Sequence, residues 1–349
     1  MADWTVPLYD RDRVDWAGSK LVDAGVSPEQ MHEAIGIINN WRSSHSFPLN
    51  TFQNTLRLKA RQVTRSPTVA QRIKRLSSIR AKLQRFAWLP LSTMQDLGGC
   101  RAVVGSVPAV RRLVKLYKTS DLRHTLADED DYIAEPKRSG YRGVHLIYRY
   151  QSKKKRAYNG LQIEMQFRSP LQHAWATAVE TVDTFTRQAL KSGGGEAEWR
   201  RFFKLMGTAI AKRERTPLVP DTPGRTRELV EELRLLSTSL GVVHRLAAYG
   251  ATLERVEQLG GMPAHFFLLQ LQRGDPPRLT IRGFQWKDLD EAEERYAEAE
   301  LANQETPGGD AVLVSVESLA ALRRAYPNYY LDTTVFIQAV RKVIGQPRR

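Results

Sequence analysis

The 349-residue chain has a single cysteine, Cys100. An intrachain disulfide is therefore impossible, and so is a cysteine-based zinc cluster within one chain. No run approaches the ~18 uninterrupted apolar residues of a membrane-spanning helix. The opening MADWTVPLYD has no basic start followed by an apolar stretch, so no secretory signal is expected. There is no internal repeat and no low-complexity tract. Hydrophobic residues make up 42% of the chain and charged residues 26%, the balance of a soluble globular protein. A cytoplasmic protein without membrane contact is the expectation.

Charge is unevenly spread. Residues 217–349 hold 16 Lys or Arg and 18 Asp or Glu, which leaves 37 and 20 for residues 1–216, a net of −2 against +17. A positive field of that size attracts phosphate, on nucleotides or on nucleic acid. The sign changes at TPLVPDTPG (216–224), where three prolines and a glycine read as a linker. Two domains are expected, 1–216 and 217–349.

In the first, residues 28–45, 51–64 and 68–87 read as helices, the last on the stripe Leu76, Ile79 and Leu83. Strands are expected at 100–105, 131–135, 143–150 and 161–168, with a helix from Pro108 to about Lys118 and others near 171–190 and 197–214. A loop, KSGGGE (191–196), separates the last two. The second part reads as a helix pair across 224–258, strands at 266–272, 278–284 and 311–316, and helices at 288–301, 318–325 and 333–344. A turn is expected at Gly274-Asp275-Pro276-Pro277. The fold class is α+β, a mixed sheet flanked by helices, with a smaller α/β C-terminal domain.

Four segments suit phosphate chemistry. Over 161–168, Leu161, Ile163, Met165 and Phe167 alternate with Gln162, Glu164, Gln166 and Arg168, so a carboxylate and two amides share one sheet face. In the expected helix 68–87, Lys74, Ser78 and Lys82 form a column of phosphate donors at i, i+4 and i+8. Asp96 precedes two glycines and Arg101 at the mouth of a strand, a place for a Mg²⁺ ligand or an ordinary turn residue. Around Tyr141, the residues Lys137, Arg138, Arg142 and His145 cluster cations on an aromatic ring, as a base-stacking pocket would.

Together these segments resemble the synthetase domain of the RelA/SpoT family, which has a nucleotidyltransferase-like fold. The match runs through R-x-K-x-x-x-S-I-x-x-K-L (Arg72 to Leu83), D-L-x-G-x-R (Asp96 to Arg101), D-Y-x-x-x-P-K-x-x-G-Y-R-x-x-H (Asp131 to His145) and E-x-Q-x-R (Glu164 to Arg168). The resemblance implies a pyrophosphokinase that moves the β,γ-pyrophosphate of ATP onto a ribose hydroxyl, releasing AMP. It implies that Asp96 and Glu164 hold Mg²⁺, with Glu164 also placed to take the acceptor's proton. Arg72, Lys74 and Lys82 would contact the ATP phosphates, supported by Ser78 and Arg101. Tyr141 would stack on the acceptor base, with Lys137, Arg142, His145 and Gln166 lining that side. No His-Asp dipeptide occurs, so the family's hydrolase half is absent.

Two acceptor classes fit that chemistry: tRNA, whose 3′ end the toxic branch modifies, or GDP, GTP and adenine nucleotides, from which alarmones are made. The net of +17 favours a polyanion. The run Lys153, Lys154, Lys155 and Arg156, in an expected hairpin, and the helix positions Arg57, Lys59, Arg61 and Arg65 could track a tRNA backbone. The architecture also resembles the CapRel type of fused toxin–antitoxin. This implies that the C-terminal part restrains the synthetase until a phage protein releases it. Tyr326 and Tyr329, a Tyr-x-x-Tyr element, would then reach the ATP site.

Overall fold

The computed structural model describes residues 4–189, 196–251, 253–258, 264–272, 276–305, 309–316 and 318–345. Three helices open the chain: α1 (Arg11–Val22), α2 (Pro28–Ser43) and α3 (Ser46–Val63). The start of α2 is fixed locally. Ser27 Oγ accepts the Gln30 N–H at 3.2 Å and Pro28 occupies the first turn, where a missing N–H costs nothing.

The helix expected over 68–87 is corrected. Residues Thr68–Ile73 form a strand, β1, and only Leu76–Arg85 is helical, as α4. The stripe of Leu76, Ile79 and Leu83 is real and buried. Its upstream neighbours pair with other strands instead, a tertiary choice that local periodicity does not contain. Strand β2 (Gly98–Val103) and helix α5 (Val107–Lys118) follow. Next come β3 (Thr125–Asp131), β4 (Val144–Arg149) and β5 (Gln162–Arg168). The strand expected at 131–135 thus ends where it was to begin. Asp131 Oδ1 accepts the N–H groups of Ile133 and Ala134 at 3.1 and 3.0 Å and turns the chain there.

Helices α6 (Pro170–Ala189) and α7 (Glu196–Glu214) are where the sequence puts them. Residues 191–195 of the expected loop between them, and Gly274-Asp275 of the later turn, lie outside the described residues. Beyond residue 216 come α8 (Thr226–Ser239), α9 (Val242–Ala251), β6 (Glu254–Gln258), β7 (Phe266–Gln272), β8 (Arg278–Phe284), α10 (Leu289–Glu305), β9 (Asp310–Ser315), α11 (Leu319–Ala325) and α12 (Thr334–Ile344). Here the one correction is β6, expected as the end of a helix and observed paired in parallel with β8.

All nine described strands join one mixed sheet in the order β3-β4-β5-β2-β1-β9-β7-β8-β6, flanked by helices. Two strand sets meet at the β1–β9 seam, where the register holds only two pairs, Gln71↔Ser315 and Arg72↔Val314. The segment 216–224 is pinned rather than loose. Val219 is 2% exposed, Thr208 and Thr222 share a hydrogen bond of 2.7 Å, and Arg142 reaches Thr216 and Pro217. Helices on both sides of it share one core, with Phe202, Met206, Leu229, Leu246 and Phe336 in the same apolar cluster.

Candidate active site

Strand register assembles the site. Gly99 of β2 stands opposite Glu164 of β5 and Arg101 opposite Gln166. On the far side of β2, Arg72 and Ala70 of β1 face those same two positions. On the far side of β5, His145 of β4 is level with Gln166 and Ile147 with Glu164. Period-2 alternation then turns all of these to one face, while Ile163, Met165 and Phe167 are fully buried on the other.

That face floors a cavity of about 370 Å³. Its walls carry six cationic side chains, Arg72, Lys74, Lys82, Arg101, Lys137 and Arg168, against three carboxylates, Asp96, Asp130 and Glu164. Asp96 and Glu164 therefore share one cavity. Lys74 Nζ lies 2.7 Å from Asp96 Oδ2 and Lys82 Nζ 2.9 Å from Oδ1. Burial works to raise the Asp96 pKa, but the two lysines outweigh it and hold the carboxyl below its usual range. Lys74 and Lys82 do not form a helical column, since Lys74 precedes α4. They converge on Asp96 from different elements.

Glu164 is held by donors on both oxygens. His145 Nδ1 lies 2.8 Å from Oε1 and Gln166 Nε2 donates to Oε2 at 2.6 Å. The other nitrogen, Nε2 of His145, lies 2.6 Å from the Tyr141 hydroxyl, which accepts from Arg168 Nη2 at 2.8 Å. Arg168 and Arg101 also reach Gln166 Oε1, at 3.2 and 3.4 Å. Burial pushes the Glu164 carboxyl upward, yet His145 and Gln166 win and bring it down to about 2. Arg101 is pushed down to about 10 by burial and by its neighbours Arg168 and Arg72. The cations outnumber their partners, so an anion entering here relieves repulsion.

The Glu164 shift has a pH consequence. The group's ordinary pKa is 4.5 and its folded value about 2, so the unfolded chain takes up the proton first as pH falls. The stability it contributes is complete above pH 4.5 and drains away toward pH 2. Acid unfolding curves of the wild type and Glu164→Gln should therefore converge in that window and part above it. Parallel curves throughout would show that Glu164 is not held ionised.

Not every expected site residue lines the cavity. Arg72, Lys74, Lys82, Asp96, Arg101, Lys137, Tyr141, His145, Glu164, Gln166 and Tyr326 do. Arg142 does not: it is 2% exposed and turns back onto Thr216 and the Pro217 carbonyl. Ser78 sits half-buried on α4 away from the lining residues. Tyr329 is 1% exposed and spends its hydroxyl on Asp310, at 3.0 Å, and Arg75. Lys153, Lys154, Lys155 and Arg156 are exposed between β4 and β5, outside the cavity. Lys59 faces inward, its Nζ over the Tyr117 ring. Tyr141 is a wall residue whose ring already has Arg168 at 5.0 Å and Lys137 at 5.6 Å. Sequence reasoning missed Tyr132, whose ring is 4.0 Å from Lys137 Nζ, and Asp130. Arg168 was legible, being two residues beyond Gln166 on the same face.

Comparison with known proteins shows what this region is similar to. Residues 71–184 match the family described as the region found in RelA/SpoT proteins. The GTP pyrophosphokinase YjbM of Bacillus subtilis (strain 168) is 35% identical over 112 residues, 31% of this chain and 52% of the relative. The chain thus spans about half of that relative's length. Among solved structures, small alarmone synthetase 1 of Bacillus subtilis bound to its product pppGpp aligns at 26% identity. It covers 42% of this chain and 74% of that one, with a TM-score of 0.37. Small alarmone synthetase 2 of the same organism aligns at 18% identity over 51% and 94%, with a TM-score of 0.42. Among the described residues, no helix is long and apolar enough to cross a membrane.

Proposed function

We propose that the chain is an ATP-dependent pyrophosphokinase that transfers the β,γ-pyrophosphate of ATP to the 3′ end of tRNA and is restrained by its own C-terminal part. The observation that carries the enzymatic reading is the shared cavity of Asp96 and Glu164 under an excess of cations. The acceptor hydroxyl attacks the β-phosphorus, the bond from that phosphorus to the α-phosphate bridge breaks, and AMP leaves. No covalent adduct with the protein is needed, so catalysis is positioning plus stabilisation of phosphoryl charge. Arg72, Lys74, Lys82 and Arg101 supply that stabilisation. Glu164, kept ionised by His145 and Gln166, faces the incoming hydroxyl and accepts its proton.

The donor set fits Mg²⁺. Two carboxylates from separate segments meet one polar cavity, and Mg²⁺ is commonly held by one or two carboxylates together with substrate phosphates. Asp96 and Glu164 would hold it, and the ion would neutralise charge on the bridging phosphate oxygens. ATP phosphates can take over Lys74 and Lys82 from Asp96, freeing that carboxylate.

The basic first part and the exposed Lys153–Arg156 run support a polyanionic acceptor. The relative named a GTP pyrophosphokinase favours the second reading, alarmone synthesis from GDP or GTP. Purified protein with β-labelled ATP and either deacylated tRNA or GDP decides between them by where the label goes. Label on GDP alone rejects the tRNA reading.

Restraint is supported by Tyr326, which belongs to the C-terminal part yet lines the cavity. Its hydroxyl donates to the Gln71 carbonyl at 2.9 Å and its ring lies 6.0 Å from the Arg101 guanidinium. Tyr326→Ala is expected to raise AMP release several-fold and Tyr326→Phe much less. Equal rates in all three proteins would reject the restraint. Release by a phage protein, as the CapRel resemblance implies, would make this a defence system.

A further inference from the structure

Two chains of hydrogen bonds leave one guanidinium and end on the two oxygens of Glu164. The guanidinium belongs to Arg168, the last residue of β5, which is 4% exposed. Its Nη2 lies 2.8 Å from the Tyr141 hydroxyl and 3.2 Å from Gln166 Oε1, while its Nε and Nη1 are buried without a hydrogen-bond partner. Burying a cation with so few bonds is costly. The bonds it does make all go into these two contacts, which points to a role beyond stability.

The direction of each bond follows from counting donors. A guanidinium only donates, so the Tyr141 oxygen accepts from Arg168 and its one proton is left for an acceptor. Among the described residues that acceptor is His145 Nε2, at 2.6 Å. Nε2 therefore presents a lone pair, the ring proton sits on Nδ1, and Nδ1 meets Glu164 Oε1 at 2.8 Å. The second arm is fixed in the same way. Gln166 Oε1 accepts from Arg168 and, at 3.4 Å, from Arg101 Nε. The amide cannot flip without setting donor against donor, so its Nε2 is left for Glu164 Oε2 at 2.6 Å. Each carboxylate oxygen has two lone pairs; the arms take one apiece and leave the others for the cavity.

The Tyr141 ring is enclosed by its neighbours. Tyr132, His145 and Trp175 meet it in T-shaped contacts, with centroids 5.8, 5.6 and 6.3 Å away, and Arg168 and Lys137 lie over it. Its turn is clamped as well. A Cβ on Gly207 of α7 would lie 2.8 Å from the Gly140 backbone, and Arg142 is tied to Thr216 and Pro217. The hydroxyl is thus delivered to a fixed place. We propose that Arg168 and the Tyr141 hydroxyl are positioning residues: through two one-way arms they present His145 Nδ1–H and Gln166 Nε2–H to Glu164 and aim its free lone pairs into the cavity. A carboxylate held by fixed donors needs no reorganisation as charge develops beside it. The kinetic half of this proposal rests on the enzymatic reading above; the geometric half does not.

Tyr141→Phe separates the hydroxyl from the ring, since a stacking role would survive it. Heteronuclear NMR of the imidazole nitrogens in the full chain at neutral pH should show His145 as the Nδ1–H tautomer, its Nε2 resonance displaced by the bond from Tyr141. In Tyr141→Phe that resonance should move toward the position of a free lone pair. AMP release, with whichever of tRNA or GDP takes the label, should fall roughly ten- to a hundredfold through kcat. KM for ATP and the thermal midpoint should be little altered. Arg168→Met fills the same buried space without a donor and should lower kcat at least as far. A His145 ring protonated on Nε2, resonances unmoved by Tyr141→Phe, wild-type kcat in that variant, or a loss confined to KM would overturn the Tyr141 arm. Wild-type kcat in Arg168→Met would remove Arg168 as the common origin. If that variant does not fold, Arg168→Lys, which keeps the charge but cannot fork to both arms, is read in its place. A chain that releases no AMP under any condition defeats the enzymatic reading, while the His145 resonances still decide the geometry.

Discussion

Glu164→Gln is expected to lower AMP release by roughly a thousandfold while leaving the fold intact, the scale seen when one preorganised electrostatic contact is removed from a reacting centre. The substitution is close to isosteric. The carbonyl of the new amide can still accept from Gln166 Nε2, now 2.6 Å from Oε2. What is lost is a full negative charge among Lys74, His145 and Arg101. Asp96→Asn should cost roughly a hundredfold or more for a related reason. Lys74 and Lys82, now 2.7 and 2.9 Å from that carboxylate, would keep their charges and lose the anion between them. The two variants should differ in how they respond to added Mg²⁺. If both carboxylates share one ion, high Mg²⁺ partly rescues each single variant and does not rescue the double. Turnover within tenfold of wild type for Glu164→Gln would remove Glu164 from the reaction, and the family resemblance would then describe the scaffold alone.

Much of this site was legible because its logic is local. The alternation Leu161 to Arg168 needs no knowledge of neighbours: period 2 turns Glu164, Gln166 and Arg168 to one face, and the structure puts all three on the cavity. Asp96, Arg101 and Tyr141 are likewise within a few residues of the turns and strands that aim them. What was not legible depends on distant chain. Whether Thr68–Ile73 is helix or strand is decided by six pairs with β2 and two with β9, and β9 lies more than 200 residues away in sequence. Arg142 looks like one more cation around Tyr141. Its direction is set by Thr216 and Pro217. The segment 216–224 has the composition of a free linker, and only its packing on α7 shows that it is a fixed part of the core. The same packing bears on regulation. Removing residues 217–349 would strip β9 from β1 and uncover Phe202 and Met206, so substitution of Tyr326 is a cleaner test of restraint than truncation.

The second large effect is expected at Glu300, far from the reaction and invisible as a site residue in the sequence. Helix α4 has no cap from its own N-terminal neighbour Arg75. Instead Glu300 Oε1, on α10, accepts the Leu76 N–H at 2.7 Å and the Tyr296 hydroxyl at 2.9 Å. Oε2 pairs with Arg42 Nη2 at 2.7 Å, and the two side chains are only 8% and 4% exposed. A carboxylate at a helix N-terminus is well placed against the dipole and the unpaired N–H groups. Glu300→Ala takes it away and strands the buried Arg42 guanidinium. The expected loss is about 3–5 kcal/mol, measured by denaturant titration, because one member of a buried pair is removed. Arg42→Met combined with Glu300→Leu should recover a large share of that loss, since no charge is then left unpaired. The effect should reach the reaction through α4, which carries Lys82: at a temperature where Glu300→Ala is still folded, KM for ATP should rise more than kcat falls. A loss under about 1 kcal/mol would mean that water replaces Glu300 at Leu76 and Arg42. The C-terminal part would then be held at the start of α4 by its apolar contacts and by Asp310 and Tyr329 on Arg75.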